Sequence, residues 1–166
     1  KRQEPINGLA APDGRIFITR GFYKKYQNGE ITVDEIASVV AHELGHVALG
    51  HIRRRMIDFS GQNAVRAALG AVLSRLVPGL GGFIAGIIGN LLMAKLSRRD
   101  EYEADEYASA LLIKSGIGVE PQISMFKKLE KISHTQGSVP AWMMSHPPTH
   151  KRIESIKINH AKIYNR

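Results

Sequence analysis

Apolar residues recur at helical spacing along most of this 166-residue chain. The clearest case starts at Thr32, which forms a capping-box pattern with Glu35. Apolar residues follow it at three- and four-residue intervals, and Gly50 is placed to end the helix. Further helices are predicted over residues 21–27, 97–114, 120–134 and 149–164. The apolar stripes expected to face the core of the last two are Ile123, Phe126, Leu129 and Ile132, then Ile153, Ile156 and Ile163.

A single stretch favours a β-strand. Residues 15–19 hold the β-branched and aromatic residues typical of strands, and the turn signal Ala11-Pro12-Asp13-Gly14 precedes them. The balance predicts an α+β fold that is mostly helical, with a small β-sheet, in one domain over residues 1–166.

Composition narrows the possible functions. The apolar fraction of 43% suffices for a core, and the absence of cysteine excludes disulfides and thiolate metal sites. A net charge of +8 favours anionic partners, but the basic residues lie in short clusters without interleaved aromatic residues. We therefore interpret the clusters as solvated faces and do not expect nucleic-acid binding. Because the chain begins at Lys1, we expect it to be a processed or excised piece.

The residues that carry chemistry form the motif H-E-x-x-H at positions 42–46, inside the best-predicted helix. Residues four apart on a helix lie one above the other, so the imidazoles of His42 and His46 can bind one metal ion. Glu43 lies about 100° around the helix, beside the ion, where its carboxylate can accept a proton from water. The motif predicts a catalytic site with one Zn²⁺ per chain.

A catalytic zinc ion needs a third protein ligand and an open position. The helix predicted over residues 97–114 offers Glu101 and Glu103, which cannot both be ligands because residues two apart point to different faces. Glu101 shares its face with Asp105, which can orient a ligand imidazole. Glu101 is therefore the preferred third ligand.

His51 is a further candidate, since some zinc proteases take a third histidine from the same stretch. The pattern H-E-x-x-H-x-x-G-x-x-H would place that histidine at position 52, where this chain has isoleucine. On a continuous helix His51 also lies about 140° around from His46, so we interpret it as a surface histidine.

Three ordered motifs resemble the HtpX and CAAX-prenyl-protease family of zinc metallopeptidases. They are the H-E-x-x-H helix with the strand segment 11–21 before it, the sequence Glu101-Tyr102-x-Ala104-Asp105, and residues 145–153 with His146-Pro147 and Arg152. The resemblance covers about residues 5–157 and is closest to the BepA-like and Oma-like branches.

The resemblance implies a gluzincin-type (zincin-like) endopeptidase core whose zinc ion is held by His42, His46 and Glu101. It gives Glu43 the role of general base and Asp105 that of orienting a ligand. His146 and Arg152 would contact the substrate or the developing oxyanion. His146 can alternatively fill the open metal position and block water in a resting state.

The resemblance also implies that the substrates are misfolded or extended polypeptides and that the protein acts in membrane or envelope quality control. The expected location is the cell envelope, periplasmic or membrane-associated. The strand over residues 15–19 can pair with an extended substrate. The rival interpretation is a zinc-bearing binding or chaperone module that is latent as isolated, against which the general base Glu43 argues. A basic lipid- or nucleic-acid-binding module is the weaker rival. The oligomeric state is left open.

Residues 60–96 form a glycine-rich apolar segment with 19 consecutive uncharged residues, 76–94. A single membrane crossing there would separate His46 from Glu101, and two crossings would need about 40 apolar residues. We therefore expect a lid over the site or a membrane-facing insertion that makes peripheral contact with anionic lipid.

Overall fold

The computed structural model describes residues 4–11, 13–55, 57–58, 60–61, 64, 97–136, 139–147 and 150–164. The chain divides into two compact units, residues 1–51 with 96–166, and residues 52–95. The predicted insertion over 60–96 lies outside the described residues apart from three positions, so its two interpretations stay predictions. In the described part of the chain, no helix is both long and apolar enough to cross a membrane.

Two short antiparallel strands, β1 (Gly8–Ala10) and β2 (Ile16–Ile18), form the small sheet. Their register pairs Leu9 with Phe17. The predicted strand over 15–19 is confirmed as β2. Strand β1 was not predicted, because glycine and alanine flanking one leucine carry little β propensity; it exists because β2 supplies its hydrogen-bonding partner.

Six helices have both ends in the described residues: α1 (Arg20–Gln27), α2 (Val33–Ala48), α3 (Arg98–Lys114), α4 (Glu120–Gln136), α5 (Ala141–Ser145) and α6 (His150–Tyr164). The described residues between 51 and 64 are helical as well. Five of the six match the predicted helices within two residues at each end. Helix α5 was missed because five residues are too few to show a helical period. The prediction of a mostly helical fold with a small sheet is confirmed.

Helix α2 begins as its sequence predicts. Thr32 Oγ1 accepts a hydrogen bond from the Glu35 backbone N–H at 3.2 Å, and Glu35 Oε2 accepts one from the Thr32 N–H at 2.8 Å. Gly50 follows the helix with a φ of +69°, a conformation that costs glycine no steric energy. Helix α3 starts with an equivalent capping box between Ser97 and Asp100.

The hydrophobic core lies among α1, α2, α4, α5 and α6. Its most buried large side chains include Phe22, Leu129, Trp142 and Ile156. The stripes predicted for α4 and α6 face this core, except for Ile163, whose side chain lies outside the described residues.

Helix α2 buries its polar side more deeply than its apolar stripe. The apolar residues at positions 36, 40, 44 and 47 are only half-buried, whereas His42, Glu43 and His46 are each at most 2% exposed. Helix α2 packs against β1, α3 and α4, and α3 packs against α6. The buried polar side therefore faces the other helices rather than solvent.

The contact between α2 and α3 is closest at Gly45. A Cβ atom at this position would lie 3.0 Å from both the Cα and the carbonyl oxygen of Ala104, which is too close for a comfortable contact. The glycine therefore lets the two backbones approach, and this approach brings the carboxylates of α3 to the histidines of α2.

We expect Gly45→Ala to destabilise the metal-free protein by about 1 kcal/mol. Overpacking against the Ala104 backbone costs about 1–3 kcal/mol, which exceeds the gain of about 1 kcal/mol in helix propensity. Urea unfolding measures the change. Gly61→Ala is the matched control, because Gly61 is helical and an added Cβ meets no atom within 4 Å. A Gly45→Ala protein as stable as the parent would contradict this interpretation of the contact.

Candidate metal centre

The two histidines of the H-E-x-x-H motif meet one carboxylate from α3. His42 Nε2 and His46 Nε2 lie 3.1 Å apart on consecutive turns of α2. Glu101 places Oε2 3.5 Å from His42 Nε2 and Oε1 3.3 Å from His46 Nε2. All three side chains are buried. The structure thus brings together the three residues predicted to bind metal.

His146 adds a fourth donor to this group. It follows α5, and its Nδ1 atom lies 3.4 Å from His42 Nε2 and 3.0 Å from Glu101 Oε1. His42, His46, Glu101 and His146 each offer a ligand atom within 4.8 Å of the others. Four convergent nitrogen and oxygen donors form the kind of set that binds a borderline divalent cation such as zinc.

The spacing of the donors tests whether an ion of zinc's size fits. Bonds of 2.0–2.1 Å to a tetrahedral ion place neighbouring ligand atoms about 3.3 Å apart. The donor separations given above run from 3.0 to 3.5 Å. The side chains therefore surround a space of the correct size, and their donor types fit the metal.

Asp105 and Arg152 contact the residues predicted to bind metal. Asp105 Oδ1 lies 2.9 Å from His42 Nδ1, so the second nitrogen of His42 has a carboxylate partner. Arg152 donates two hydrogen bonds to Asp105, from Nε to Oδ2 at 2.6 Å and from Nη2 to Oδ1 at 2.8 Å. Its Nη1 lies 2.9 Å from Glu101 Oε2. This guanidinium connects α6 to two carboxylates of α3, and both carboxylates contact His42.

Burial and charge pairing act against each other on the pKa values of these groups. Burial alone would lower the pKa of His42, but hydrogen bonds to Asp105 and Glu101 raise it to about 9. Burial lowers the pKa of His46. Burial would raise the pKa of Glu101, yet three neighbouring imidazoles hold that pKa far below its usual range. Asp105 is likewise buried, and Arg152 keeps its pKa low.

Glu43 lies beside the four donors without belonging to them. Its Oε1 accepts a hydrogen bond from the indole Nε1–H of Trp142 at 3.0 Å and lies 3.5 Å from His146 Nε2. Trp142 also stacks on the His146 ring, with centroids 5.2 Å apart. Sequence reasoning missed Trp142, because a lone buried tryptophan is more often a core residue than part of a site.

His51 is not a surface histidine, and that prediction is wrong. The side chain is 1% exposed and lies against His46, while Glu103 contacts it from α3. The chain turns at Gly50, whose positive φ interrupts the helix. An angle calculated for a continuous helix therefore does not describe where His51 points.

A buried H-E-x-x-H helix joined by a glutamate of a second helix has the arrangement that a metallopeptidase site requires. The model of peptidase family M48 matches residues 1–159, and the chain belongs to this family. The assignment confirms the resemblance carried by the motifs and, with it, the prediction of a metallopeptidase.

Individual relatives agree with the assignment. The chain is 33% identical over 153 residues to the metalloprotease LoiP of Escherichia coli K12, a match that covers 92% of this chain and 58% of LoiP. It is 26% identical over 157 residues to the beta-barrel assembly-enhancing protease of the same strain, covering 90% and 31%. It is 29% identical over 161 residues to the protease HtpX of Shewanella pealeana, covering 75% and 54%. The chain therefore spans between about a third and three fifths of these relatives.

We expect metal binding to strengthen as pH rises towards 9. A metal ion needs the lone pair of His42 Nε2, but the metal-free site keeps His42 protonated up to about pH 9. The apparent zinc affinity should rise about tenfold per pH unit below that value. Calorimetry in two buffers of different ionisation enthalpy should detect one released proton. An affinity that is flat between pH 7 and 9 would contradict the raised pKa.

Protonation of His42 also affects the stability of the metal-free protein, which we expect to fall as pH rises. Because the folded-state pKa of His42 lies above its usual value of 6.5, its stabilising contribution is complete below about pH 6.5. The contribution is lost as pH rises through 9. Thermal unfolding of metal-free protein should therefore show a falling Tm over this window.

Proposed function

We propose that this chain is the catalytic domain of a zinc-dependent endopeptidase with a gluzincin-type core. The observation that carries the proposal is the buried Glu43 carboxylate beside four convergent metal donors. A structural metal site has no use for an additional buried carboxylate, whereas peptide hydrolysis needs a proton acceptor at that place.

His42, His46 and Glu101 would hold the zinc ion. Bound zinc supplies a Lewis acid that polarises the scissile carbonyl and makes water a nucleophile near neutral pH. Helices α2 and α3 fix these ligands, and Asp105 and Arg152 keep them in position. The donors therefore need little rearrangement when the ion binds, which limits the cost of forming the site.

Glu43 would accept the proton of the attacking water and pass it to the leaving amine. The Trp142 N–H fixes one carboxylate oxygen and leaves the other with no partner among the described contacts. A carboxylate held in this orientation can transfer a proton without first changing its side-chain rotamer. The indole thus has a positioning role in the proposed reaction.

The two predicted oxyanion contacts differ in their surroundings. Arg152 is 2% exposed and engaged by Asp105, Glu101 and the carbonyl oxygen of Pro147, which supports a role in orienting ligands. His146 has its ring directly between Glu43 and Glu101, where a reacting carbonyl would need a donor. His146 is therefore the better candidate for contact with the substrate.

His146 would also hold the site in a latent state. Its Nδ1 atom lies 3.4 Å from His42 Nε2 and 3.0 Å from Glu101 Oε1, separations similar to those among the three proposed ligand atoms. This spacing supports the binding of His146 at the open position of the metal. In that arrangement the imidazole excludes water from the metal. This observation favours the second candidate function, a zinc-bearing module that is latent as isolated.

The substrate would be an extended polypeptide that adds a strand to β2. Strand β2 is paired with β1 along one edge, and Phe17 is 44% exposed on it. Backbone pairing recognises peptides with little regard to sequence, which suits misfolded chains. A relative named for β-barrel assembly supports a role in envelope protein quality control and a location in the cell envelope. Any peripheral contact with anionic lipid would belong to the segment 60–96.

Glu43→Gln should reduce cleavage of unfolded casein by about 10²–10⁴-fold at matched zinc content. The amide still accepts the Trp142 hydrogen bond but cannot take a proton, so folding and metal binding should persist. Initial rates and zinc content by atomic absorption are the two measurements. Equal cleavage by parent and variant would overturn the proposed role of Glu43.

His146→Ala tests the latent state. If His146 blocks the site in about nine molecules of ten, its removal should raise the cleavage rate about tenfold. Zinc affinity should fall at the same time, because one donor is lost. His150→Ala is the control, since this exposed histidine lies at the start of α6. A slower His146→Ala enzyme would instead assign His146 to the oxyanion and reject latency.

A further inference from the structure

The buried His51 has no role in the proposed reaction, yet it contacts a metal-site histidine. Its Nδ1 atom lies 2.9 Å from Nδ1 of His46. Its Nε2 atom lies 3.0 Å from Glu103 Oε2 and 3.7 Å from Asp100 Oδ1. A buried imidazole with both nitrogens in contact is fixed in position and in protonation pattern.

A hydrogen bond between two ring nitrogens needs one N–H and one lone pair. His46 Nε2 points at His42 and Glu101, so this is the nitrogen that must offer a lone pair to the metal. The proton of neutral His46 then sits on Nδ1 and is donated to His51. His51 must receive it with the lone pair of its own Nδ1.

Glu103 completes the chain of hydrogen bonds. With a lone pair on Nδ1, His51 carries its proton on Nε2 and donates it to Glu103 Oε2. A carboxylate only accepts, so it selects this tautomer of His51. Glu103 is itself held by Arg99, whose Nε donates to Oε1 at 2.7 Å. The direction of donation is therefore defined from His46 to Glu103.

We propose that His51 is a positioning residue for His46, which it holds, through Glu103, with Nε2 free to bind metal. The inference rests on the proposed metal site and extends it. It gives His46 a partner equivalent to the one that Asp105 provides for His42. It also accounts for two glutamates two residues apart on α3: Glu101 faces the metal donors, and Glu103 faces the histidine that orients one of them.

His51→Leu removes the acceptor and leaves the His46 Nδ1–H buried without a partner. The zinc affinity of the full chain should fall 10- to 100-fold, the usual effect of losing such a partner. Competition with a chromophoric chelator measures it. His134→Leu, a change at an exposed histidine of α4, should leave the affinity unchanged.

A conservative replacement distinguishes orientation from mere packing. His51→Asn places an amide oxygen near the position of Nδ1, so it should recover the zinc affinity to within a few-fold of the parent. If His51→Leu and His51→Asn lose affinity equally while both metal-free proteins keep the parent's Tm, the positioning role is rejected.

The tautomer can be read without any variant. In ¹⁵N-histidine-labelled metal-free protein at a pH where His46 is neutral, long-range ¹H–¹⁵N spectra should show His46 protonated at Nδ1. They should show His51 protonated at Nε2. A His46 ring protonated at Nε2 would overturn the proposal even if the substituted proteins failed to fold.

His46→Ala distinguishes a failure of the His51 proposal from a failure of the proposed metal site on which it rests. If His46→Ala binds zinc as tightly as the parent, the metal site itself is wrong and the positioning role fails with it. If His46→Ala loses zinc while His51→Leu keeps the parent's affinity, the metal site stands and only the role of His51 is rejected.

Discussion

The paired contact of Arg152 with Asp105 is the interaction on which the site depends. Both side chains are almost completely buried, and the two hydrogen bonds between them join α6 to α3. The same carboxylate meets His42, and the same guanidinium meets Glu101, so one buried cation connects three helices. Removing one partner of such a pair typically costs about 3–5 kcal/mol, because the other charge stays buried without compensation.

Pairing of charges explains how so many polar groups can be buried together. Each charged group at the centre faces a group of opposite charge or a hydrogen-bonding partner, which offsets its loss of hydration. Each helix contributes a different kind of group to the site. Helix α2 supplies the imidazoles and the proposed base, α3 supplies the carboxylates, and α5 and α6 supply the groups that hold them. Gly45 permits the close approach of α2 and α3 that brings these groups together.

Much of the fold and most of the site could be predicted from local sequence. The capping box of Thr32 and Glu35 defines the start of α2 through two short-range hydrogen bonds, so its sequence was sufficient. The four-residue spacing of His42 and His46 fixed their meeting for the same reason. The position of His51 was predicted wrongly because its angle assumed a helix continuing past Gly50, where the chain turns. The direction of His51 after that turn depends on its contacts with His46 and with Glu103 of α3. Strand β1 and helix α5 were missed because their stability comes from packing partners rather than from their own residues.

The sequence by itself determined the helices, their caps, the paired histidines and the candidate base, since these follow from contacts within a few residues. It also left two glutamates as alternatives for the third ligand, with Glu101 preferred on its shared face with Asp105. The family resemblance named His146 and Arg152, but only the tertiary structure decided which groups they contact. It also decided that Glu101 faces the histidines while Glu103 faces His51, and that Trp142 joins the site. The physical reason is separation along the chain: these groups meet through helix packing, which orients each side chain by the shape and charge of distant partners.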